Sequence, residues 1–221
     1  MSTAERATRE GLCFDTSSLI VLTDAGLLDH VGTWLSGGAY KAAAVDGELR
    51  ASLTKYPQNE QALKATWLET RAAPIETEEY RQLHLLFGAR RGKGAGEAET
   101  LTLCQANEWT AMINDKGPRN TARLLDRPVN AVCTTELLIV AIAQERMALD
   151  DGWEAFREVH RRYEPNSLNG LGTENRFRAV FHGLIEHVRA TLPAVGLGAA
   201  VSAVGRLDQT VTQIASAVGI G

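Results

Sequence analysis

Apolar and polar positions along the chain follow two rhythms, and each rhythm predicts an element. "GLCF", Gly11 to Phe14, is a short apolar run that ends at Asp15 and reads as a strand. In "TSSLIVLTDAGLLDHVGTWL" the apolar residues Leu19, Leu22, Leu27, Leu28 and Val31 recur at helical spacing, with Thr16 or Ser17 as N-cap. "AYKAAAV" predicts a second strand, and "DGELRASL" a helix start with Glu48 in its first turn. "PQNEQALKATWLETRA" and "ETEEYRQLHLLFGA" read as two amphipathic helices around a strand-like "API". "GARRGKGAG" is a loop by composition. There follow a helix "EAETLTLCQAN", a buried strand "WTAMIN" that ends at Asp115, and a helix "KGPRNTARLLD" with Pro118 in its first turn. A strand "VNAVC", a helix "TTELLIVAIAQERMAL" and a closing helix "DDGWEAFREVHRRYE" complete the pattern.

Strands alternating with helices from Gly11 to about Leu149 predict an α/β fold with a parallel sheet covered on both faces. The expected organisation is an N-terminal tail (1–10), one α/β domain (11–164) and a mainly helical C-terminal extension (165–221). In the extension, "RFRAVFHGLIEHVRATL" is amphipathic, and the final residues are small and apolar. Arg206, Asp208 and Gln209 interrupt that last stretch, so it reads as a packing or oligomer helix rather than a membrane anchor. A homo-oligomer is therefore expected.

Charge narrows the function. A net charge of −4 over 221 residues argues against holding nucleic acid by bulk electrostatics, which needs clustered Lys and Arg. A local patch is still available: Arg90, Arg91 and Lys93 form a basic loop and are candidate phosphate contacts, as is Arg119, four residues from Arg123 on one helix. Cys13, Cys104 and Cys133 are far apart in apolar runs and read as buried small hydrophobes in a reducing compartment. His182 and His187 lack zinc-ligand spacing, and they and His160 read as surface residues. "MSTAERATRE" has no apolar leader core and no run is long enough to span a bilayer, so a cytoplasmic protein is expected. Neither a Gly-Lys-Ser/Thr phosphate loop nor a dinucleotide fingerprint occurs.

The chemistry lies with the carboxylates. Ligand sites of parallel α/β sheets form at the C-terminal edge of the strands. Asp15 and Asp115 both end strand-like runs, and Glu48 and Glu97 both open helices that follow such positions. Four carboxylates from four segments would share one mouth. Burying like charges together is unfavourable unless a cation compensates, and an all-oxygen set suits Mg²⁺ or Mn²⁺. Between Glu97 and Glu99, helix geometry favours Glu97, which shares a face with Leu101 and Cys104, whereas Glu99 points elsewhere and reads as a solvated acid.

These blocks resemble the PIN-domain ribonucleases. The resemblance rests on "FDTSSLIVLTDAGLLD", "VDGELRA", "GEAETLTLC" and "MINDKGPRNTARLL" in order, and it extends through "VNAVCTTELLIVAIAQERMALDDGW". It covers about Gly11 to Tyr163 and is closest to the subgroup whose third block reads Gly-Glu-Ala-Glu. It implies a three-layer α/β/α fold and a metal-dependent endoribonuclease. Asp15, Glu48, Glu97 and Asp115 would be its catalytic acids, with Mg²⁺ or Mn²⁺ on Asp15, Glu97 and Asp115. The resemblance also implies Thr134 as a hydroxyl near the metal, an RNA substrate and, for toxin members of the family, an antitoxin partner. Departures are Asn114 before the fourth acid, Gly117-Pro118 after it, and "CTTE" where a Gly-Thr start is common.

Two other classes compete. One is a non-catalytic module of the same fold whose C-terminal extension binds a protein partner. The other is a phosphatase with Asp15 as nucleophile, which is disfavoured because Ser17 stands where such chemistry wants a second acid.

Overall fold

A computed structural model describes residues 11–35, 38–87, 94–163, 174–191 and 196–204. The chain forms two compact units, residues 1–133 and 134–221, a division that falls earlier than the expected boundary after Glu164.

The first unit is α/β. In chain order its described elements are β1 (Leu12–Phe14), α1 (Thr16–Asp24), α2 (Leu28–Trp34), β2 (Ala39–Ala42), α3 (Ala43–Ser52), a 3₁₀ turn (Pro57–Asn59) and α4 (Glu60–Lys64). Then come β3 (Glu69–Arg71), α5 (Glu78–Leu86), α6 (Ala95–Asn107), β4 (Thr110–Met112), α7 (Lys116–Leu124) and β5 (Ala131–Val132). The five strands are all parallel, in the order β3-β2-β1-β4-β5. Leu12, Cys13 and Phe14 are all fully buried, as a central strand covered on both faces requires. α6 packs on β1, β2 and β4, while Trp67 meets Phe14 edge-on at 5.7 Å. The arrangement is compatible with three α/β/α layers.

Strand order fixes where a site belongs. The chain builds β1, β2 and β3 to one side, then returns to lay β4 and β5 on the other, so the order reverses between β1 and β4. A crevice opens at such a switch point, outside the carboxyl ends of the strands. Phe14 is in register with Met112 there, and Asp15 N–H continues the ladder to Met112 O at 3.0 Å.

Several expected boundaries move. The helix after Asp15 breaks in two because Gly26 takes φ +68° and closes a Schellman turn, in which Leu27 N–H reaches Leu22 O at 2.8 Å and Gly26 N–H reaches Thr23 O at 3.1 Å. α3 begins at Ala43, so Asp46 occupies the first turn and Glu48 the second. The third strand lies at Glu69–Arg71 rather than at "API". This edge strand is exposed throughout and is tied by the Arg71–Glu69 ion pair at 2.9 Å, so it carries no apolar signal.

The second unit is helical where described: α8 (Thr134–Ala143), α9 (Leu149–Tyr163), α10 (Glu174–Thr191) and α11 (Leu197–Val204). α9, α10 and α11 each pack on α8, whose residues Leu137 to Ile142 are all buried. Phe156 and Phe181 sit 4.6 Å apart, with Trp153 5.3 Å from Phe181. α11 thus buries Leu197, Ala200 and Val201 within its own chain. His160, expected at the surface, is 7 % exposed and lies 4.5 Å from the Phe156 ring.

All three cysteines are buried and unbridged. No helix among the described residues is long and apolar enough to cross a membrane.

Candidate metal and carboxylate site

Asp15 follows the last residue of β1 and turns the chain into α1. Its extended backbone (φ −84°, ψ 174°) makes it the N-cap, and its Oδ1 accepts the Ser18 N–H at 2.7 Å. The expected caps Thr16 and Ser17 lie one and two residues further on, inside the helix. The side chain is 1 % exposed. Burial pushes its pKa from 3.8 to about 7, against the lowering effect of the hydrogen bonds from Ser18 and Ser17, and the charge of Glu97 adds to the rise.

Ser17 couples this acid to the fourth. Its hydroxyl donates to the Asp15 carboxylate, at 3.0 Å from Oδ1 and 2.7 Å from Oδ2. The same oxygen accepts the backbone N–H of Asn114 at 3.0 Å and of Asp115 at 3.3 Å. One hydroxyl therefore joins the ends of β1 and β4 across the switch point. Asp115 itself is exposed at the N-cap position of α7, where it makes no side-chain cap bond.

Glu97 sits in the first turn of α6, half-buried. Burial raises its pKa first of all; its own backbone N–H opposes the rise, and the charges of Glu48 and Asp115 add to it. One of its carboxylate oxygens, Oε2, is buried without a hydrogen-bond partner. An unpaired buried oxygen is costly, which makes it the part of the site that asks for a ligand. Through these interactions Asp15 feels Glu97, and Glu97 feels Glu48 and Asp115. The four acids from separate segments are brought into one electrostatic neighbourhood.

Glu48 and Glu99 have defined partners. Glu48 Oε1 accepts the Gly96 N–H at 2.9 Å, and Oε2 accepts the Thr16 hydroxyl. Glu99 Oε2 accepts the Ala44 N–H at 2.9 Å, so it is an engaged, half-buried acid rather than a solvated one. Neither α3 nor α6 has a side-chain cap at its own N-cap residue. Each helix instead receives a cap from the other: Glu48 of α3 on α6, and Glu99 of α6 on α3. Carboxylates at helix N-termini are favoured by the macrodipole as well as by the orphan N–H groups.

The expected substrate contacts separate. Arg119 is 9 % exposed, and its guanidinium donates to Ile113 O at 3.1 Å and to Asn114 O, holding the turn that carries Asp115. That is a role inside the fold. Thr134 is buried as the first residue of α8 in the second unit. Arg90, Arg91 and Lys93 lie outside the described residues.

Whether this donor set fits a cation has two sides. Among the described residues no three His, Cys, Asp or Glu side chains are gathered closely enough to hold a metal ion as they stand. Yet Asp15, a buried carboxylate with raised pKa, and Glu97, with one carboxylate oxygen that meets no hydrogen-bond donor, lie among four acids. Such a set fits an ion that keeps several waters and takes one or two carboxylates directly, which is the habit of Mg²⁺. The groove of about 510 Å³ beside α5 and the end of α7, lined by Glu78, Leu83, Leu86, Leu124 and Asp126 among others, includes none of the four acids.

Thr16, Ser17 and Glu99 were not singled out by the sequence as site supports. The available signal was "DTSS", two hydroxyls directly after an acid at a strand end. Comparison with family models, with curated proteins and with solved structures returned no match for this chain.

Proposed function

We propose that the first unit is a divalent-cation-dependent nuclease of PIN type that hydrolyses single-stranded RNA. The observation that carries this reading is the convergence of Asp15, Glu48, Glu97 and Asp115 near the point where the strand order reverses. The order of the four acidic blocks along the chain supports it too. Asp15 and Glu97, with Asp115 at the rim, would hold Mg²⁺ or Mn²⁺. When bound, such an ion offsets the mutual repulsion of the acids and supplies a water of lowered pKa and Lewis-acid stabilisation of phosphate oxygens.

The chain's own residues prepare that chemistry. Ser17 fixes the Asp15 carboxylate and the backbone at Asp115 in one frame. Burial of Asp15 strips its water, which strengthens its attraction for any cation that replaces its proton. Asp115, being exposed, is the acid best placed to meet an incoming substrate from solvent.

The test is cleavage of a single-stranded RNA in Mn²⁺ by the wild type and by Asp15→Asn and Asp115→Asn. Loss of cleavage in both variants, with unchanged circular dichroism, is expected; equal cleavage by all three proteins would refute the reading. A toxin role with an antitoxin partner belongs to the same proposal.

A second reading, a non-catalytic module of the same fold, is favoured by one observation. Two of the four expected site acids, Asp15 and Glu48, are engaged in capping helices, as is Glu99 beside them. It expects no Mn²⁺ binding by calorimetry, together with loss of an oligomer or partner when the C-terminal extension is removed.

A further inference from the structure

We infer that Glu48 is a positioning residue, a brace between the two segments that carry Asp15 and Glu97, and not a ligand of the cation. This rests on the cation-dependent reading above and departs from it in the role of one acid.

The two partners of Glu48 are the sequence neighbours of the two ligands. Oε2 takes the hydroxyl of Thr16, directly after Asp15, and Oε1 takes the N–H of Gly96, directly before Glu97. One carboxylate therefore fixes the start of α1 against the start of α6. The approach is close: a Cβ on Gly96 would lie 2.5 Å from Glu48 Oε2, 3.0 Å from its Cδ and 3.1 Å from Oε1. A side chain at position 96 would displace the Glu48 carboxylate, which lies against the Gly96 backbone. Glu99 completes the brace from the other side, since its bond to Ala44 N–H anchors the start of α3, the helix that presents Glu48. Both Glu48 oxygens already accept a hydrogen bond, whereas Glu97 Oε2 accepts none. Glu97 keeps an open oxygen for the cation, whereas the two Glu48 oxygens are spent on holding together the segments that carry Asp15 and Glu97.

Substitution by glutamine separates the two roles. Its carbonyl oxygen can accept from Gly96 N–H while its amide donates to the Thr16 hydroxyl, so the brace survives without a carboxylate. Mn²⁺ affinity is read by calorimetry on the full chain, with thermal unfolding of each variant as a check on folding. Glu48→Gln is expected to bind within about threefold of the wild type, whereas Glu48→Ala, Thr16→Val and Gly96→Ala weaken binding by about tenfold or more, the range for groups that orient a ligand. Gly96→Ala removes no acid at all, and Thr16→Val reads the same brace from the far side if Gly96→Ala does not fold. A loss in Glu48→Gln as large as that in Glu97→Gln would make Glu48 a ligand and overturn the assignment alone. Unchanged affinity in Glu48→Ala would remove the brace. A wild type that binds no Mn²⁺ overturns the underlying reading and this assignment with it.

Discussion

Replacing Asp15 by Asn is expected to stabilise the cation-free protein above neutral pH, even though Asp15 caps a helix. Its carboxyl is raised from 3.8 to about 7, chiefly by burial. Between those values the native state keeps a proton that the unfolded chain has released, so stability falls as pH rises from about 4 to 7, and above 7 the whole penalty is present. A gap of roughly 3 pH units at about 1.4 kcal/mol each sets an order-of-magnitude ceiling near 4 kcal/mol. Asn removes the charge but keeps the cap, because its Oδ1 can accept the Ser18 N–H and Asn equals Asp as an N-cap. The weaker neutral bonds to Ser17 and Ser18 return part of the gain, leaving about 2 kcal/mol at pH 8. For a chain of this length that is roughly 4–8 °C in Tm. The assay is thermal or urea unfolding of both proteins in EDTA from pH 4 to pH 8.5. The gap should open as pH rises through the window and close at its acid end. A less stable Asp15→Asn at pH 8, or curves that run parallel across the range, would refute the argument.

Three further outcomes follow from the same contacts. Ser17→Ala leaves the Asn114 and Asp115 N–H groups without their acceptor and should cost about 1–3 kcal/mol in urea unfolding, with a parallel fall in RNA cleavage. Arg119→Ala should destabilise the fold by about 2 kcal/mol, because its buried guanidinium holds the Ile113 and Asn114 carbonyls. If Arg119 served substrate instead, unfolding would be unchanged and only the salt dependence of RNA binding would shift. Lys41 is 2 % exposed, pairs with Asp46 at 2.8 Å and donates to Ala62 O at 3.1 Å. Asp46→Asn should therefore destabilise by about 2–3 kcal/mol in denaturant titration, while Lys41→Met with Asp46→Leu recovers most of the loss.

The apolar rhythm was enough to locate β1, β2, β4 and β5 and the helices between them, because buried strands and amphipathic helices write their burial into the residue pattern. β3 was misplaced because an exposed edge strand of Glu69, Thr70 and Arg71 has nothing to bury. The start of α3 was misjudged for a different reason. Ala42 gives this helix no side-chain cap; Ala44 N–H is instead capped by Glu99, fifty-five residues further on, and no local pattern encodes a cap from another helix. The acids of the candidate site were legible as strand ends and helix starts. Their division of labour was not, since it depends on which oxygens find donors. Ser17 was passed over for the same reason: its hydroxyl matters through two backbone N–H groups nearly a hundred residues away.

Position alone does not separate a capping acid from a functional one, since both gather at helix N-termini at the same edge of the sheet. Glu97 and Glu99 lie two residues apart on one helix and show the difference. Glu99 has a backbone N–H to accept and so repays its partial burial locally. Glu97 keeps a buried oxygen without a donor, and burial together with two neighbouring charges raises its pKa. Asp15 combines both conditions. It caps α1 through Oδ1 and accepts from Ser17, yet these bonds do not offset its burial, and the carboxyl still titrates near neutrality. A residue kept only as a cap gains nothing from that burial, because Asn, Ser or Thr would cap as well without a charge to desolvate. The excess burial of Asp15, beside the unpaired oxygen of Glu97, is the physical ground for treating this pair as the working centre and the Glu48–Glu99 exchange as its frame.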